Sequence, residues 1–167
     1  MYDNIVLIGF MGSGKTSVGK SLARQLYKKF KDVDTIIEAE QNCSITDIFE
    51  NKGEAYFRSL EQKCINELTQ NKGQIIATGG GLPIYSSIPE KSLIINIDAD
   101  FDVILERLST KERNKRPLLQ DESRARELFD QRIDTYRELA HFSVDANQRI
   151  PVFIHLIFDF ILDKRVL

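Results

Sequence analysis

A chain of 167 residues, 42% of them hydrophobic, can bury one sizeable core and is too short for two ordinary domains. Its 23 Lys and Arg against 25 Asp and Glu leave a formal charge of -2, which excludes the basic surplus of a general nucleic-acid binder and makes any basic site local. No apolar run approaches the ~20 residues of a membrane-spanning helix, and the start of the chain lacks the basic stretch of a signal peptide.

The first apolar run, Ile5-Val6-Leu7-Ile8, reads as a buried strand. Gly9-Phe10-Met11-Gly12-Ser13-Gly14-Lys15-Thr16 follows it and matches the phosphate-binding pattern GxxxxGK[ST] in the strand-loop-helix setting that the pattern requires. Its glycines let backbone amides turn inward toward phosphate oxygens, and the helix start adds the positive end of its dipole. Lys15, read as an exposed loop lysine, reaches the β- and γ-phosphates, while the Thr16 hydroxyl ligates Mg2+. The helix itself runs from about Gly14 through Leu26, with Val18, Leu22, Ala23 and Leu26 as its apolar stripe.

A weak second strand is expected around Phe30 to Val33. At its end stand Asp32 and Asp34, which alternation in an extended segment would point to the same side. One can face a metal shell and the other an acceptor hydroxyl, or the pair can be a solvated acidic turn. Cys43 and Cys64 are far apart with no metal-binding spacing, which fits reduced thiols in the cytoplasm.

A second helix begins near Glu54 and aligns Phe57, Leu60, Cys64 and Leu68. Arg58 borders this stripe, and its guanidinium can pair internally with Glu54 and Glu61 or hold a substrate anion. Ile75-Ile76-Ala77 is the third strand, and Thr78-Gly79-Gly80-Gly81 follows at the same sheet edge as the phosphate loop. Three residues without side chains there permit close approach of a ligand, or form a flexible turn. Leu93 to Ile97 is the fourth strand, and the Asp98 that ends it is assigned no metal role because Asp32 is better placed.

Arg107 to Pro117 carries many charges and few apolar residues, as a solvated loop does. In a phosphoryl-transfer enzyme the same stretch can be a mobile lid, covering about 108–122. After the polar cap Asp121-Glu122-Ser123 comes a third helix whose stripe is Ala125, Leu128, Phe129, Tyr136 and Leu139. Arg132 falls within it and has no acid three or four residues away, so its anion must come from elsewhere in the chain or from a ligand. Phe142-Ser143-Val144 is a fifth strand, and a last helix starts at Pro151. Strands alternating with helices imply an α/β fold with a parallel sheet.

A GTPase switch is excluded, because no Asp has Gly three residues later and neither Asn51-Lys52-Gly53-Glu54 nor Asn71-Lys72-Gly73-Gln74 completes a guanine-reading motif. Taken in order, GFMGSGKT, DVD at 32 to 34, GEAYFR at 53 to 58, ATGGG at 77 to 81, RPLL at 116 to 119 and RIDTYRELA at 132 to 140 resemble the shikimate kinase family over nearly the whole chain. The resemblance implies a single-domain P-loop kinase fold with a five-stranded parallel sheet, of the nucleoside-monophosphate-kinase group. It implies transfer of the ATP γ-phosphate to the 3-hydroxyl of shikimate with Mg2+ as cofactor, by a cytoplasmic monomer without nucleic-acid or membrane partners.

Carried over position by position, the resemblance puts Asp34, Arg58, Gly79, Gly80, Gly81 and Arg132 on shikimate. Thr16 and Asp32 fall to the metal, Gly12, Ser13, Gly14, Lys15, Thr16 and Ser17 to the phosphates, and Arg116 to the lid. Arg107 and Arg149 flank the adenine, and Lys15, Asp34 and Arg116 form the catalytic set. The alternatives are another small-molecule kinase of the group, acting on gluconate or a nucleoside monophosphate, and a nucleotide-binding module without catalysis.

Overall fold

The unbroken apolar runs become the middle of a sheet. In the computed structural model, which describes residues 2–108 and 117–164, β1 (Asn4–Ile8) is buried at every position. Successive strand residues face opposite sides, so burial of both sets means that both faces of the sheet are covered. β1 lies between β3 (Gln74–Ala77) and β4 (Ser92–Asp98), with Ile5 opposite Ile75 on one side and Leu93 on the other. The order is β2-β3-β1-β4-β5 and every pairing is parallel, as expected. Full burial of Ile5, Leu7, Ile75, Leu93 and Ile95 stabilises the fold by about 1.5–3 kcal/mol per side chain.

The two edge strands, β2 (Lys29–Asp32) and β5 (Phe142–Asp145), are short and mix polar with apolar residues. Lys29 and Lys31 on β2 oppose pairing with another chain's strand, which accounts for a basic strand where an apolar one would be usual. β2 ends one residue earlier than expected. Asp32 closes the strand and caps helix α2 (Val33–Gln41) by accepting from the Thr35 amide at 3.3 Å. Asp34 therefore lies in a helical first turn and not in an extended segment.

Helix α1 (Lys15–Gln25) buries Val18, Leu22 and Ala23, and places Gly19 where a methyl would meet the Phe30 ring at 2.4 Å. Two short helices carry the chain onward. They are α2 and α3 (Ile45–Lys52), the latter opened by a capping box in which Ser44 and Asp47 satisfy each other's amides. α4 (Glu54–Thr69) buries Phe57, Glu61, Cys64 and Ile65, leaving Leu60 and Leu68 half-buried, so its inner face includes an acid that the apolar stripe omitted.

α5 (Leu82–Tyr85) follows β3, and α6 (Phe101–Arg107) follows β4. A single 3-10 turn at Pro117–Leu119 precedes α7 (Glu122–Leu139), which Asp121 caps through the Arg124 amide. The last helix is α8 (Ile150–Lys164). Most of the expected lid, with Arg116, lies outside the described residues. Cys43 is half-buried and Cys64 buried, both as free thiols, and burial pushes the Cys64 thiol up to about 11. Among the described residues no helix is long and apolar enough to cross a membrane.

Candidate active site

The sheet order reverses around β1, and the carboxyl ends of β1, β2 and β3 all feed segments that line one side of the molecule. Crevices at such a switch point are where open parallel sheets take ligands. Two cavities meet there, of about 270 and about 640 Å3.

The smaller is walled by the phosphate loop, Gly12 to Ser17, with Asp32, Asp34, Gly79, Gly80 and Arg107. Gly14 precedes the helix at φ 107, a left-handed conformation that favours glycine, and the helix start has neither a side-chain cap nor an acid in its first turn. The positive end of α1 thus faces the cavity uncompensated. Phe10 anchors the loop from behind, its ring centroid 6.2 Å from Phe101 and 5.2 Å from Phe129.

Lys15 is not the exposed side chain read from the sequence. It is 8% exposed and donates to the carbonyls of Gly9 at 2.8 Å and Phe10 at 2.7 Å, lying back over its own loop. Thr16 Oγ1 donates to Asp32 Oδ2 at 2.9 Å, which puts a hydroxyl and a carboxylate side by side at the loop. Arg107 lines the cavity and donates to the Gln148 carbonyl. Arg149 is exposed in the same connecting loop, between Gln148 and the wall residue Ile150, and does not itself line the cavity.

The larger cavity collects Asp34, Arg58, Gly79, Gly80, Gly81 and Arg132 between α2, α3, α4 and α7. It shares Met11, Asp34, Gly79 and Gly80 with the smaller one, so a ligand in each would meet over these residues. Arg58 pairs internally and also faces the cavity. Its Nε and Nη2 donate to Glu54 Oε1 at 3.1 and 2.8 Å and its Nη1 to Glu61 Oε2 at 2.6 Å, while the same guanidinium lines the cavity.

Arg132 is 7% exposed. The Tyr85 ring lies 4.3 Å from Arg58 Cζ and 5.8 Å from Arg132 Cζ, so one aromatic face sits beside both cations. Tyr136, one turn beyond Arg132, donates to the Gly80 carbonyl at 2.6 Å and fixes the glycine segment to α7. Burial pushes its hydroxyl up to about 12, so it remains a donor.

The triple glycine serves close approach by side chains of the same molecule. A methyl on Gly79 would stand 2.7 Å from Asp34 Oδ1 and 3.1 Å from Glu61 Oε1, and one on Gly81 would stand 2.4 Å from Arg58 Nη1. Asp34 is driven up to about 7, chiefly by burial, then by the nearby charges of Glu61 and Asp32, with Lys15 pulling the other way. Glu61 is likewise raised by burial, against the hydrogen bond and charge of Arg58.

Glu61 is the residue that sequence reasoning undervalued, entering only as a partner for Arg58. The missed signal was available: it lies four residues after Phe57 and three before Cys64, within an apolar face, as Arg132 does on its own helix. Asp98, by contrast, is taken up by Arg137, whose Nε donates to its Oδ2 at 2.8 Å and Nη2 to its Oδ1 at 3.2 Å.

A phosphate loop on a five-stranded parallel sheet, opening onto a second cavity that holds two arginines and a buried carboxylate, defines a P-loop phosphotransferase with a small anionic acceptor. The family model for shikimate kinase matches residues 11–163. A shikimate kinase of Helicobacter hepaticus is 42% identical over 146 residues, 87% of each chain. The solved structure of shikimate kinase from Acinetobacter baumannii in complex with shikimate superposes with a TM-score of 0.88 at 34% identity, over 100% of this chain and 97% of that one. A gluconokinase from Sinorhizobium meliloti reaches 0.57 at 18% identity over 92% of this chain and 87% of its own, a likeness of fold alone. The chain belongs to the shikimate kinase family.

Proposed function

We propose that this chain transfers the γ-phosphate of ATP to the 3-hydroxyl of shikimate, giving ADP and shikimate 3-phosphate, a step of chorismate and aromatic amino acid biosynthesis. The observation that carries the reading is the pair of cavities joined at Asp34, Gly79 and Gly80, with phosphate-binding groups on one side and Arg58 and Arg132 on the other. Shikimate has one carboxylate and three hydroxyls. The two guanidiniums clamp the acid, each able to offer parallel N–H donors to it. Asp34 and the Gly79 to Gly81 backbone then hold hydroxyls at the junction.

In the transfer, a bond forms from the acceptor oxygen to the γ-phosphorus and the bond to the β,γ-bridging oxygen breaks, while the acceptor hydroxyl loses its proton. Asp34 orients this hydroxyl, and with its acidity near neutrality it can take that proton. Gly12 to Ser17 cradle the phosphates and Lys15 swings from the loop carbonyls onto the transferred group, so that positioning and charge neutralisation supply most of the rate. Arg116, outside the described residues, is assigned to the same developing charge on the character of its segment and the family resemblance alone. Arg107 flanks the nucleotide base from the cavity wall, with Arg149 exposed in the loop beside it.

Thr16 and Asp32 fit Mg2+. Both offer oxygen donors, which suit a hard cation, and their hydrogen bond already holds them together beside the loop. When bound, the ion neutralises charge on the phosphate oxygens. The free thiols of Cys43 and Cys64 agree with a cytoplasmic enzyme, and the reading takes it as a monomer.

ADP release measured with shikimate, gluconate and AMP as alternative acceptors tests the proposal. Release dependent on shikimate alone is expected. Preference for another acceptor, or ATP binding without acceptor-dependent ADP release, overturns it.

A further inference from the structure

The inner wall of the acceptor cavity carries an imbalance of donors and charges. Glu61 Oε1 and Asp34 Oδ1 are both buried with no hydrogen-bond donor among the described residues. They converge, since each lies close to the same point above Gly79, at 3.1 and 2.7 Å from where its methyl would be. The other Glu61 oxygen accepts from Arg58. Two acceptor oxygens enclosed beside the same glycine are each left with the desolvation cost of a missing hydrogen bond, and a proton that one donated to the other would remove both deficits.

The charged groups around Glu61 are Arg58 and Glu54 on its own helix, Asp34 at the start of α2 and Arg132 on α7. Glu54 is half exposed and keeps its hydration. Lys15 acts on Asp34 from the phosphate loop, where it is tied to the Gly9 and Phe10 carbonyls, so on the acceptor side the enclosed set is Asp34 and Glu61 against Arg58 and Arg132. A substrate carboxylate makes three negative charges against two positive ones along this wall. An uncompensated charge there is costly, and the usual resolution is to bind a proton.

We propose that Glu61 is a positioning residue that takes up a proton when the anionic acceptor binds. Protonated on Oε1, it donates to Asp34 Oδ1 and keeps that carboxylate fixed on the acceptor hydroxyl. Its Oε2 becomes a neutral carbonyl that holds Arg58 less strongly, releasing the guanidinium to the acceptor carboxylate. The direction of the Glu61 shift in the free chain agrees, burial already favouring the neutral form. Arg58 and Arg132 oppose that shift in the free chain, and once both are engaged by the acceptor this opposition weakens. The proton comes from solvent.

The inference rests on the acceptor assignment above, and the experiment separates the two. Titration calorimetry of the protein with shikimate at about pH 8, in buffers of different ionisation enthalpy, counts the protons exchanged on binding. Uptake of about one half to one proton per shikimate bound is expected. Across about pH 7 to 9 the wild-type dissociation constant should rise by up to tenfold per pH unit. Glu61→Gln mimics the protonated form, with an amide to donate to Asp34 and an oxygen to accept from Arg58, so its uptake should vanish and its affinity should lose the pH dependence. A purely structural role for Glu61 would lower affinity equally at every pH.

Wild-type binding without proton uptake overturns the inference. So does uptake that persists in Glu61→Gln, since the proton would then reside elsewhere. If the Gln variant does not fold, the carbon-13 shifts of the Glu61 and Asp34 carboxyls in the wild type with and without shikimate decide: protonation of Glu61 on binding supports the inference, and protonation of Asp34 instead overturns it. Absence of any shikimate binding by the wild type refutes the proposed function instead.

Discussion

Gly81 offers a way to disturb the acceptor clamp while leaving the fold nearly alone. Its backbone lies at φ -86, ψ -22, an ordinary helical conformation that alanine adopts without strain. The added methyl would stand 2.4 Å from Arg58 Nη1 and 2.8 Å from Cζ and Nη2. A comfortable contact is about 3.5 Å, so the guanidinium must withdraw by about 1 Å. The tip of a long side chain can do so cheaply, and the Glu54 contacts can follow it because that acid is half exposed.

The geometry toward a substrate carboxylate cannot follow, and a misplacement of about 1 Å in a positioning group costs up to about 100-fold. Gly81→Ala should therefore lower kcat/KM for shikimate by about 10- to 100-fold, equivalent to about 1.4–2.7 kcal/mol. The ATP constant should be unchanged, and the unfolding midpoint should fall by no more than about 4 °C. Steady-state kinetics with each substrate varied, beside a thermal melt, provides the test. A variant with wild-type shikimate kinetics would show that Arg58 does not meet the acceptor where the cavity places it.

Arg132→Ala should weaken acceptor use by about 2–5 kcal/mol, the range for truncating one member of a buried charge pair, and Arg132→Lys should be impaired as well. ATP affinity should barely move; a destabilised protein with undiminished shikimate affinity would make the arginine purely structural. Lys15→Ala should leave less than about a tenth of the turnover. Because Lys15 is buried and ties two loop carbonyls, it should also lower the melting temperature measurably, which an exposed loop lysine would not.

Asp34 predicts a pH-dependent stability. Its folded pKa of about 7 lies above the unfolded 3.8, so the folded state binds the proton more tightly, and stability is lost as pH rises from the lower value through the higher. Asp34→Asn should thus melt higher than wild type at pH 8, by up to a few kcal/mol, and lose that advantage below about pH 4. Equal melting differences at both ends would refute the burial argument.

The central strands and the phosphate loop were legible because their signals are local. Unbroken apolar runs such as Ile75 to Ala77 survive only where both faces are buried, and the loop pattern is contiguous. Helices α2 and α3 escaped notice because their starts depend on side-chain caps from Asp32 and Ser44 within polar sequence, with one buried apolar residue on α3 and two on α2. Expecting Asp32 and Asp34 to share a side was sound in outcome and wrong in cause, since a strand end followed by a capped helical turn brings both to the loop.

Arg132 was legible from an unmet charge in an apolar stripe. Glu61 demanded the same reasoning, but its ready partner at Arg58 concealed the second oxygen. The burial of Lys15 and the exposure of Arg149 depend on how loops fold back, which local pattern does not encode.

The shared wall of the two cavities bears on how acceptor specificity can be altered. Met11, Asp34, Gly79 and Gly80 line both cavities at once, and they sit in the segments that follow β1, β2 and β3, whose register is set by the central sheet. A one-residue insertion between Asp32 and Asp34 would rotate the acceptor carboxylate away from the loop while leaving Asp32 in place, uncoupling nucleotide from acceptor. The facing wall, supplied by Phe49 of α3, Arg58 of α4 and Arg132 of α7, lines the larger cavity alone. Libraries aimed at new acceptor acids should keep the strand-end half constant and randomise the helical half, where the phosphate machinery has no stake.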